Sequence, residues 1–231
     1  LESPEVYFNW LKVNITNKEN VILDISVFPE RIYFPILKFL LRSGVCKNLI
    51  VTYCVAKKYS DEPLYSEFKE LLPLPLFSSV SVDQAYDSLI VGLGFMPLGL
   101  PDFITNFKFR NSPSVNFLFP FPTVPPHFQR TWSFLKKVSE SYKIQSSDIF
   151  YADPSCPSDA FDFFVRTKQM RVVFAPFGPK PICLAMALFA IESNSPVYYS
   201  QPYYYHPSLS TGASNLFAYP ILVNGDKLYQ L

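Results

Sequence analysis

The stretch that decides the fold is Arg171-Val-Val-Phe-Ala-Pro-Phe-Gly-Pro-Lys-Pro-Ile-Cys-Leu-Ala-Met-Ala-Leu-Phe-Ala-Ile191. Its pattern predicts a buried strand over 171–175, a tight turn, and a helix that is apolar on nearly all sides. Backbone N–H groups at the start of such a helix have no partner within it, and the helix dipole favours negative charge there. Because Lys180 adds a full positive charge at the same place, the stretch predicts an anion-binding site.

Strand and helix patterns alternate along the rest of the chain. The first strand (21–26), a helix from Phe28 to Ser43 that ends before Gly44, and the next strand (47–56) form a β-α-β unit with parallel strands. This alternation predicts one α/β domain over residues 1–231, Rossmann-like, with a largely parallel sheet and helices on both faces. Further strands are predicted at 87–94, 114–119 and 196–201, further helices at 101–107, 127–142 and 159–169, and a C-terminal hairpin at 219–230 that turns at Asn224-Gly225. The polar, proline-containing segment from Lys57 to Leu76 is predicted to be a loop. The spacing of the helix at 127–142 places Phe128, Trp132, Leu135 and Val138 on one face.

Composition limits the classes of function. A hydrophobic content of 49% with 17% charged residues predicts a folded globular protein. The net charge of +1, without runs of like charge, predicts no direct binding of long nucleic acid. No apolar run reaches about 18 residues, which predicts no membrane span. The four cysteines have no metal-ligand spacing, so we expect reduced thiols, no metal and a cytoplasmic protein.

Polar residues follow several of the predicted strands, where ligands bind in open α/β sheets. Asp24 and Ser26 end the first strand, and Gly178 and Lys180 follow the strand over 171–175. We expect Lys180 and the amides after Gly178 to hold phosphate, and Ser26 and Asp24 to contact ribose or phosphate. A purely structural role stays open for both strand-end residues, because either side chain can cap or orient the chain that follows.

An unusual aromatic loop, Tyr198-Tyr-Ser-Gln-Pro-Tyr-Tyr-Tyr-His-Pro207, follows the strand predicted over 196–201. If that strand is parallel to its neighbour, Tyr203 and Tyr205 would lie near Lys180 and could stack on a base. The alternative is an aromatic surface that contacts another protein.

Known catalytic and cofactor motifs are missing from the sequence. Gly92-Leu-Gly94 begins like a dinucleotide fingerprint, but Pro97 replaces its third glycine, so we expect no nicotinamide or flavin cofactor. The phosphate-binding lysine loop, the serine nucleophile elbow and the zinc-protease helix motif do not occur either. His127 and His206 are the two histidines, and either could act as a general base.

The turn resembles that of the CARF sensor domains and of the related SAVED domains of bacterial antiviral systems. Gly178, Lys180 and Ile182 match the glycine, lysine and methionine positions of their turn, and Ser26 lies where those families place a residue of the first strand. Pro179 stands in place of their threonine, and the turn comes later in this chain. The resemblance implies a Rossmann-like fold that binds a cyclic oligonucleotide.

These patterns together predict a nucleotide-binding sensor or regulatory subunit, acting with a protein partner or as a homo-oligomer. Two alternatives stay open. One is a nucleotide or nucleoside hydrolase or transferase that uses Asp24 with His206 or Asp153. The other is a non-catalytic scaffold that binds another protein through its aromatic and proline-rich loops.

Overall fold

The computed structural model describes residues 4–16, 18–60, 68–78, 86–106, 109–167, 171–202 and 210–231. The helices of this part of the chain are α1 (Pro4–Asn14), α2 (Glu30–Ser43), α3 (Leu100–Asn106), α4 (Pro125–Ser139), α5 (Pro157–Arg166) and α6 (Lys180–Ser193). The strands are β1 (Lys18–Asp24), β2 (Cys46–Tyr59), β3 (Phe68–Pro73), β4 (Tyr86–Gly92), β5 (Phe109–Pro120), β6 (Ile149–Ala152), β7 (Val172–Pro176), β8 (Tyr198–Pro202), β9 (Ser210–Val223) and β10 (Asp226–Lys227).

An all-parallel sheet contains the strand of the opening stretch. Its order is β6-β5-β4-β7, with β4 at the centre between β5 and β7. All five residues of β7 are buried, which explains why this segment has an unbroken apolar sequence. The chain order reverses between β4 and β7, so the loops that follow these two strands diverge at that point.

The remaining strands form two other sheets. A mixed sheet has the order β1-β2-β9-β10, in which β1 is parallel to β2 and β9 is antiparallel to it. Strands β3 and β8 form a separate antiparallel pair. The predicted β-α-β unit is therefore confirmed, whereas the prediction that the strands form one largely parallel sheet is wrong. The hydrophobic pattern of a strand indicates whether the strand is buried, but it does not indicate which strand it pairs with. The sequence therefore could not show that the first strand and the strand at 171–175 belong to different sheets.

Helix α6 lies in the largest hydrophobic core of the described residues. Every residue from Pro181 to Ile191 is buried. The same core contains residues of the mixed sheet, such as Val51, residues of the parallel sheet, such as Phe174, and residues of α2 and α5. A helix surrounded in this way has no solvent face, and this explains why its sequence is apolar all round.

Several local predictions can be compared with the structure. Gly44 ends α2 in the left-handed conformation, and Asn224-Gly225 forms the turn between β9 and β10, as predicted. The loop predicted from Lys57 to Leu76 is wrong in part, because β2 continues to Tyr59 and β3 follows within the same range. Among the described residues, no helix is both long and apolar enough to cross a bilayer.

Helix α4 differs from its predicted packing. The sequence places Phe128, Trp132, Leu135 and Val138 on one face of this helix. Leu135 and Val138 are buried together with Thr131 and Phe134, but Phe128 and Trp132 remain 38% and 53% exposed. The buried stripe is thus rotated toward Thr131, and two large aromatic rings face solvent.

Candidate functional site

The loops after β4 and β7 cross closely at the carboxyl edge of the parallel sheet. The N–H of Phe177 donates to the carbonyl of Gly92 at 3.0 Å. A Cβ atom added to Gly94 would lie 1.8 Å from the carbonyl oxygen of Phe177, and one added to Gly178 would lie 3.2 Å from that of Leu93. Glycine at these positions therefore allows two backbones to meet. This gives Gly178 a structural role beside the ligand contact that we predicted for it.

Helix α6 begins directly after this crossing. Pro179 is its N-cap residue and has no capping side chain, and Lys180, Pro181 and Ile182 form its first turn. The N–H of Cys183 already donates to the carbonyl of Pro179 at 3.0 Å. Because proline has no N–H group, only Lys180 and Ile182 of this turn can offer backbone donors. The helix start is a poorer anion site than its dipole alone suggests, and the Lys180 side chain becomes the main cation.

The Lys180 side chain reaches across to the start of α2. Its ζ-ammonium donates to the carbonyl of Phe28 at 2.5 Å and to Oε1 of Glu30 at 2.9 Å. It also lies 5.0 Å from the centre of the Tyr33 ring. The side chains of the ion pair are only 19% and 10% exposed for Lys180 and Glu30. Lys180 is thus held in place by a largely desolvated carboxylate.

A buried group of weakly acidic side chains adjoins this ion pair. The hydroxyl of Tyr33 is buried and has no hydrogen-bond partner among the described residues. Burial, with the nearby acidic groups of Cys183 and Glu30, raises the pKa of Tyr33 well above its ordinary value. Burial likewise raises the pKa of the Cys183 thiol, which donates to the carbonyl of Gly178 at 3.2 Å. These groups are neutral at physiological pH, so the Lys180–Glu30 pair carries the local charge.

Tyrosines of β2 extend this group toward the parallel sheet. Tyr53 is buried, and burial together with its hydrogen bond to Tyr59 raises its pKa. The Tyr59 ring packs against Phe95 and His127, with centroids 5.8 Å and 5.2 Å away. Polar side chains therefore continue from the start of α6 to the start of α4.

His127 occupies the far end of these contacts. Burial and the positive charge of Arg130 lower the pKa of His127 below its ordinary value. Arg130 lies over the Phe95 ring, 5.3 Å from its centre, and donates to the carbonyl of Ser60. Both side chains thus have structural contacts where the mixed sheet meets the parallel sheet.

Asp24 is the last residue of β1 and Ser26 follows it, close in sequence to the residues that hold Lys180. Oδ1 of Asp24 accepts from the N–H of Ser26 at 2.8 Å, and Oγ of Ser26 accepts from the N–H of Cys54 at 2.8 Å. Burial opposes ionisation of Asp24, but hydrogen bonds from Ser26 and Thr52 outweigh it and lower its pKa. Both predicted residues therefore shape the chain between β1 and α2, and the helix cap suggested for Ser26 is not formed.

The predicted residues are brought together in part. Lys180 contacts Phe28, two residues after Ser26, and Glu30. The side chains of Asp24 and Ser26 instead accept hydrogen bonds from the N–H groups of Ser26 and Cys54. Tyr203 and Tyr205, and with them His206, lie outside the described residues. Sequence reasoning missed Glu30, Tyr33 and Cys183. The first two read as ordinary residues of an amphipathic helix, and Cys183 as part of an apolar one, so no signal distinguished them.

Other kinds of site find little support. Among the described residues there is no group of three or more histidine, cysteine, aspartate or glutamate side chains that could hold a metal ion. All four cysteines are free thiols, and Cys46 and Cys183 are buried.

The fold and the site define a mixed α/β protein with an ion pair and a buried phenol beside the switch point of a parallel sheet. No protein-family model and no curated protein matches this chain.

Proposed function

We propose that this protein binds a phosphate-bearing, nucleotide-like ligand at the start of α6 and acts as a sensor or regulatory subunit. One observation carries the proposal. The Lys180 ammonium group, held where the order of the parallel sheet reverses, uses two of its three protons on Phe28 and Glu30 and lies over the Tyr33 ring, 5.0 Å from its centre. A phosphate oxygen can accept the third proton of this ammonium group.

Glu30 gives this site a means of signalling. A phosphate group competes with the Glu30 carboxylate for Lys180, because both are anions that accept hydrogen bonds from the same ammonium group. The Lys180–Glu30 pair joins the first turn of α6 to the first turn of α2. Ligand binding that replaces this pair changes the contact between the two helices. A ligand that favours one arrangement of α2 over another shifts the population between them.

The other predicted contacts complete this proposal. Ser26 accepts a hydrogen bond through Oγ, but its hydroxyl proton can still donate to ribose or phosphate. Asp24 is ionised near neutral pH and suits a ribose hydroxyl, and Gly178 brings the backbone close to the ligand. For Tyr203 and Tyr205, stacking on a base stays a prediction. In the proposed setting, a cytoplasmic protein transmits the change at α2 to a protein partner or to a second copy of itself, without a cofactor.

Thermal stabilisation tests the proposal. The purified protein is screened against inorganic phosphate, mononucleotides, linear dinucleotides and cyclic oligonucleotides, and hits are measured by calorimetry. We expect a nucleotide to raise the melting temperature. Glu30→Gln should bind it at least about tenfold more tightly, because the competing charge is gone and the amide can still contact Lys180.

The controls separate binding from folding. Lys227 forms a comparable ion pair with Glu192 at 2.7 Å, with side chains 27% and 18% exposed. Lys227→Met should leave ligand binding unchanged, whereas the double variant Lys180→Met with Glu30→Met should lose it while remaining folded. The proposal fails if no nucleotide binds, or if that double variant binds as well as the wild type.

A further inference from the structure

An aromatic surface lies around the carboxyl ends of β5 and β6, toward the edge of the parallel sheet opposite β7. Phe119 is buried at its centre, with 1% exposure. Three exposed rings pack around it, and a fourth, Phe121, packs on Tyr151 with its centroid 5.7 Å away. These four exposed rings are defined as the aromatic platform: Phe121, Phe128, Trp132 and Tyr151. The centroids of Phe128, Trp132 and Tyr151 lie 5.1 Å, 6.5 Å and 5.8 Å from that of Phe119. The buried Phe119 ring thus packs beneath Phe128, Trp132 and Tyr151 and supports their positions.

Two rings of the platform are parallel. The planes of Phe128 and Trp132 differ by 2°, and their centroids lie 6.5 Å apart. These residues follow each other by one turn of α4 and project from the same face of the helix. Two parallel, exposed rings one helical turn apart present flat apolar faces on which another planar ring can stack.

Positive charge continues along the same helix. Helix α4 contains Arg130, Lys136 and Lys137 and no carboxylate. Lys136 is exposed and follows Trp132 by one turn, so the order along this face is phenylalanine, tryptophan, lysine. The next carboxylates along the chain are Glu140, just after the helix, and Asp148, whose side chain accepts from the N–H of Gln145. Arg130 contacts Ser60 and Phe95, so Lys136, one turn after Trp132, is the cation that continues this face.

We propose that Phe128 and Trp132 bind an unpaired nucleobase and that Lys136 contacts the attached phosphate. Aromatic rings stack on every base, and a neighbouring cation adds the attraction to phosphate that single-strand binding sites use. The low net charge of the chain indicates a short footprint of one or a few nucleotides and not a long groove. The base can belong to a free nucleotide or to a single strand. This site is separate from Lys180 and does not depend on the function proposed for it.

Tryptophan fluorescence gives a direct test, because the chain has only two tryptophans, Trp10 and Trp132. Trp10 is 59% exposed and Trp132 is 53% exposed, which makes them a matched pair. In the Trp10→Phe protein, adenosine monophosphate or a short oligothymidylate should quench the emission of Trp132, because a stacked base contacts its ring. In the Trp132→Phe protein, the same probes should leave the emission of Trp10 unchanged. An abasic sugar-phosphate strand should quench neither.

Substitutions at the platform complete the experiment. In the Trp10→Phe background, Phe128→Ala should weaken binding about tenfold or more. Lys136→Ala should weaken it and reduce its dependence on salt. Both side chains are exposed, so circular dichroism should show unchanged folding. Quenching by the mononucleotide identifies a free nucleotide as a sufficient ligand, and quenching by the strand alone identifies a single strand.

Three results would overturn this assignment. They are no quenching of Trp132 by either probe, equal quenching by the abasic strand, and self-association that Trp132→Ala abolishes, which would make the platform a protein interface. The double variant Lys180→Met with Glu30→Met should leave the quenching intact. A failure of the Lys180 site is therefore distinguishable from a failure of the platform.

Discussion

The ζ-ammonium of Lys180 lies 2.9 Å from Oε1 of Glu30, a residue 150 positions earlier in the chain. This ion pair connects the first turns of α6 and α2 and is largely screened from water, with side chains 19% and 10% exposed. Desolvation of two charges costs free energy that their attraction must repay, so such a pair often adds little net stability. Each of the two charges is nevertheless stable in this environment only while the other is present.

Removing one partner of this pair should therefore cost more than removing both. We expect Lys180→Met to lower the free energy of unfolding by about 3 kcal/mol, because Glu30 would be left buried and unpaired. The double variant with Glu30→Met should recover most of this loss. Urea denaturation of the wild type, Lys180→Met, Glu30→Met and the double variant gives the coupling energy between the two residues. Lys227→Met breaks a more exposed pair and should lower the free energy of unfolding clearly less than Lys180→Met does. Additive effects of the two substitutions would contradict the coupling.

The hydroxyl of Tyr33 should be a cost to the unliganded fold. It is buried and lacks a hydrogen-bond partner among the described residues, so Tyr33→Phe should raise the free energy of unfolding by about 1 kcal/mol. Tyr219 supplies the matched control, since its hydroxyl donates to the carbonyl of Ser155 at 2.8 Å. Tyr219→Phe should lower the free energy of unfolding by about 1 kcal/mol. Midpoints of urea denaturation should therefore shift in opposite directions for Tyr33→Phe and Tyr219→Phe. A loss of stability in both variants argues against an unpaired Tyr33 hydroxyl.

The sequence predicts local elements of this fold correctly where a few neighbouring residues determine their structure. The αL position at Gly44, the turn at Asn224-Gly225 and the β7–α6 junction each depend on a few adjacent residues. The first half of β9 was not predicted, because Ser-Thr-Gly-Ala-Ser-Asn lacks the alternation and the β-branched content of a strand. Its exposure explains this composition: residues 210–216 all face solvent.

The candidate site was less accessible, because its key contacts join distant parts of the chain. The sequence identifies Lys180 by its place at a helix start, but nothing near it shows that Glu30 neutralises its charge. The effect of Pro179 and Pro181 on the number of free amides was readable from the sequence alone. The pairing of strands into three sheets was not, because β2 and β9 are joined by contacts between segments more than 150 residues apart.

Gly94 should tolerate no side chain. A Cβ atom there would lie 1.8 Å from the carbonyl oxygen of Phe177, and backbone of a crossing loop cannot move aside as a flexible side chain can. We expect Gly94→Ala to cost about 3 kcal/mol or more. Gly44→Ala is the control, since a Cβ atom there meets no neighbouring atom. Its left-handed conformation should lower the free energy of unfolding by about 1 kcal/mol. Equal midpoints of thermal unfolding for the two variants would show that the loops can separate.

His127 should make the fold sensitive to mild acid. Burial and the charge of Arg130 hold its pKa below the ordinary value of 6.5. The unfolded chain therefore binds a proton at this residue at a higher pH than the folded protein does. Stability from His127 is constant above about pH 6.5, falls as the pH drops below that value, and stops falling below the pKa of the folded state.

Two measurements check this dependence. The imidazole titration of His127, followed by nuclear magnetic resonance in a His206→Gln protein that has no other histidine, should give a midpoint below 6.5. The difference in unfolding free energy between wild type and His127→Gln should be constant above about pH 6.5. Below that pH the wild type should lose stability relative to His127→Gln. Arg130→Gln should move the titration upward, because it removes the positive charge that opposes protonation. A midpoint at or above 6.5 would instead mean that Tyr59 and Phe95 leave the imidazole well hydrated.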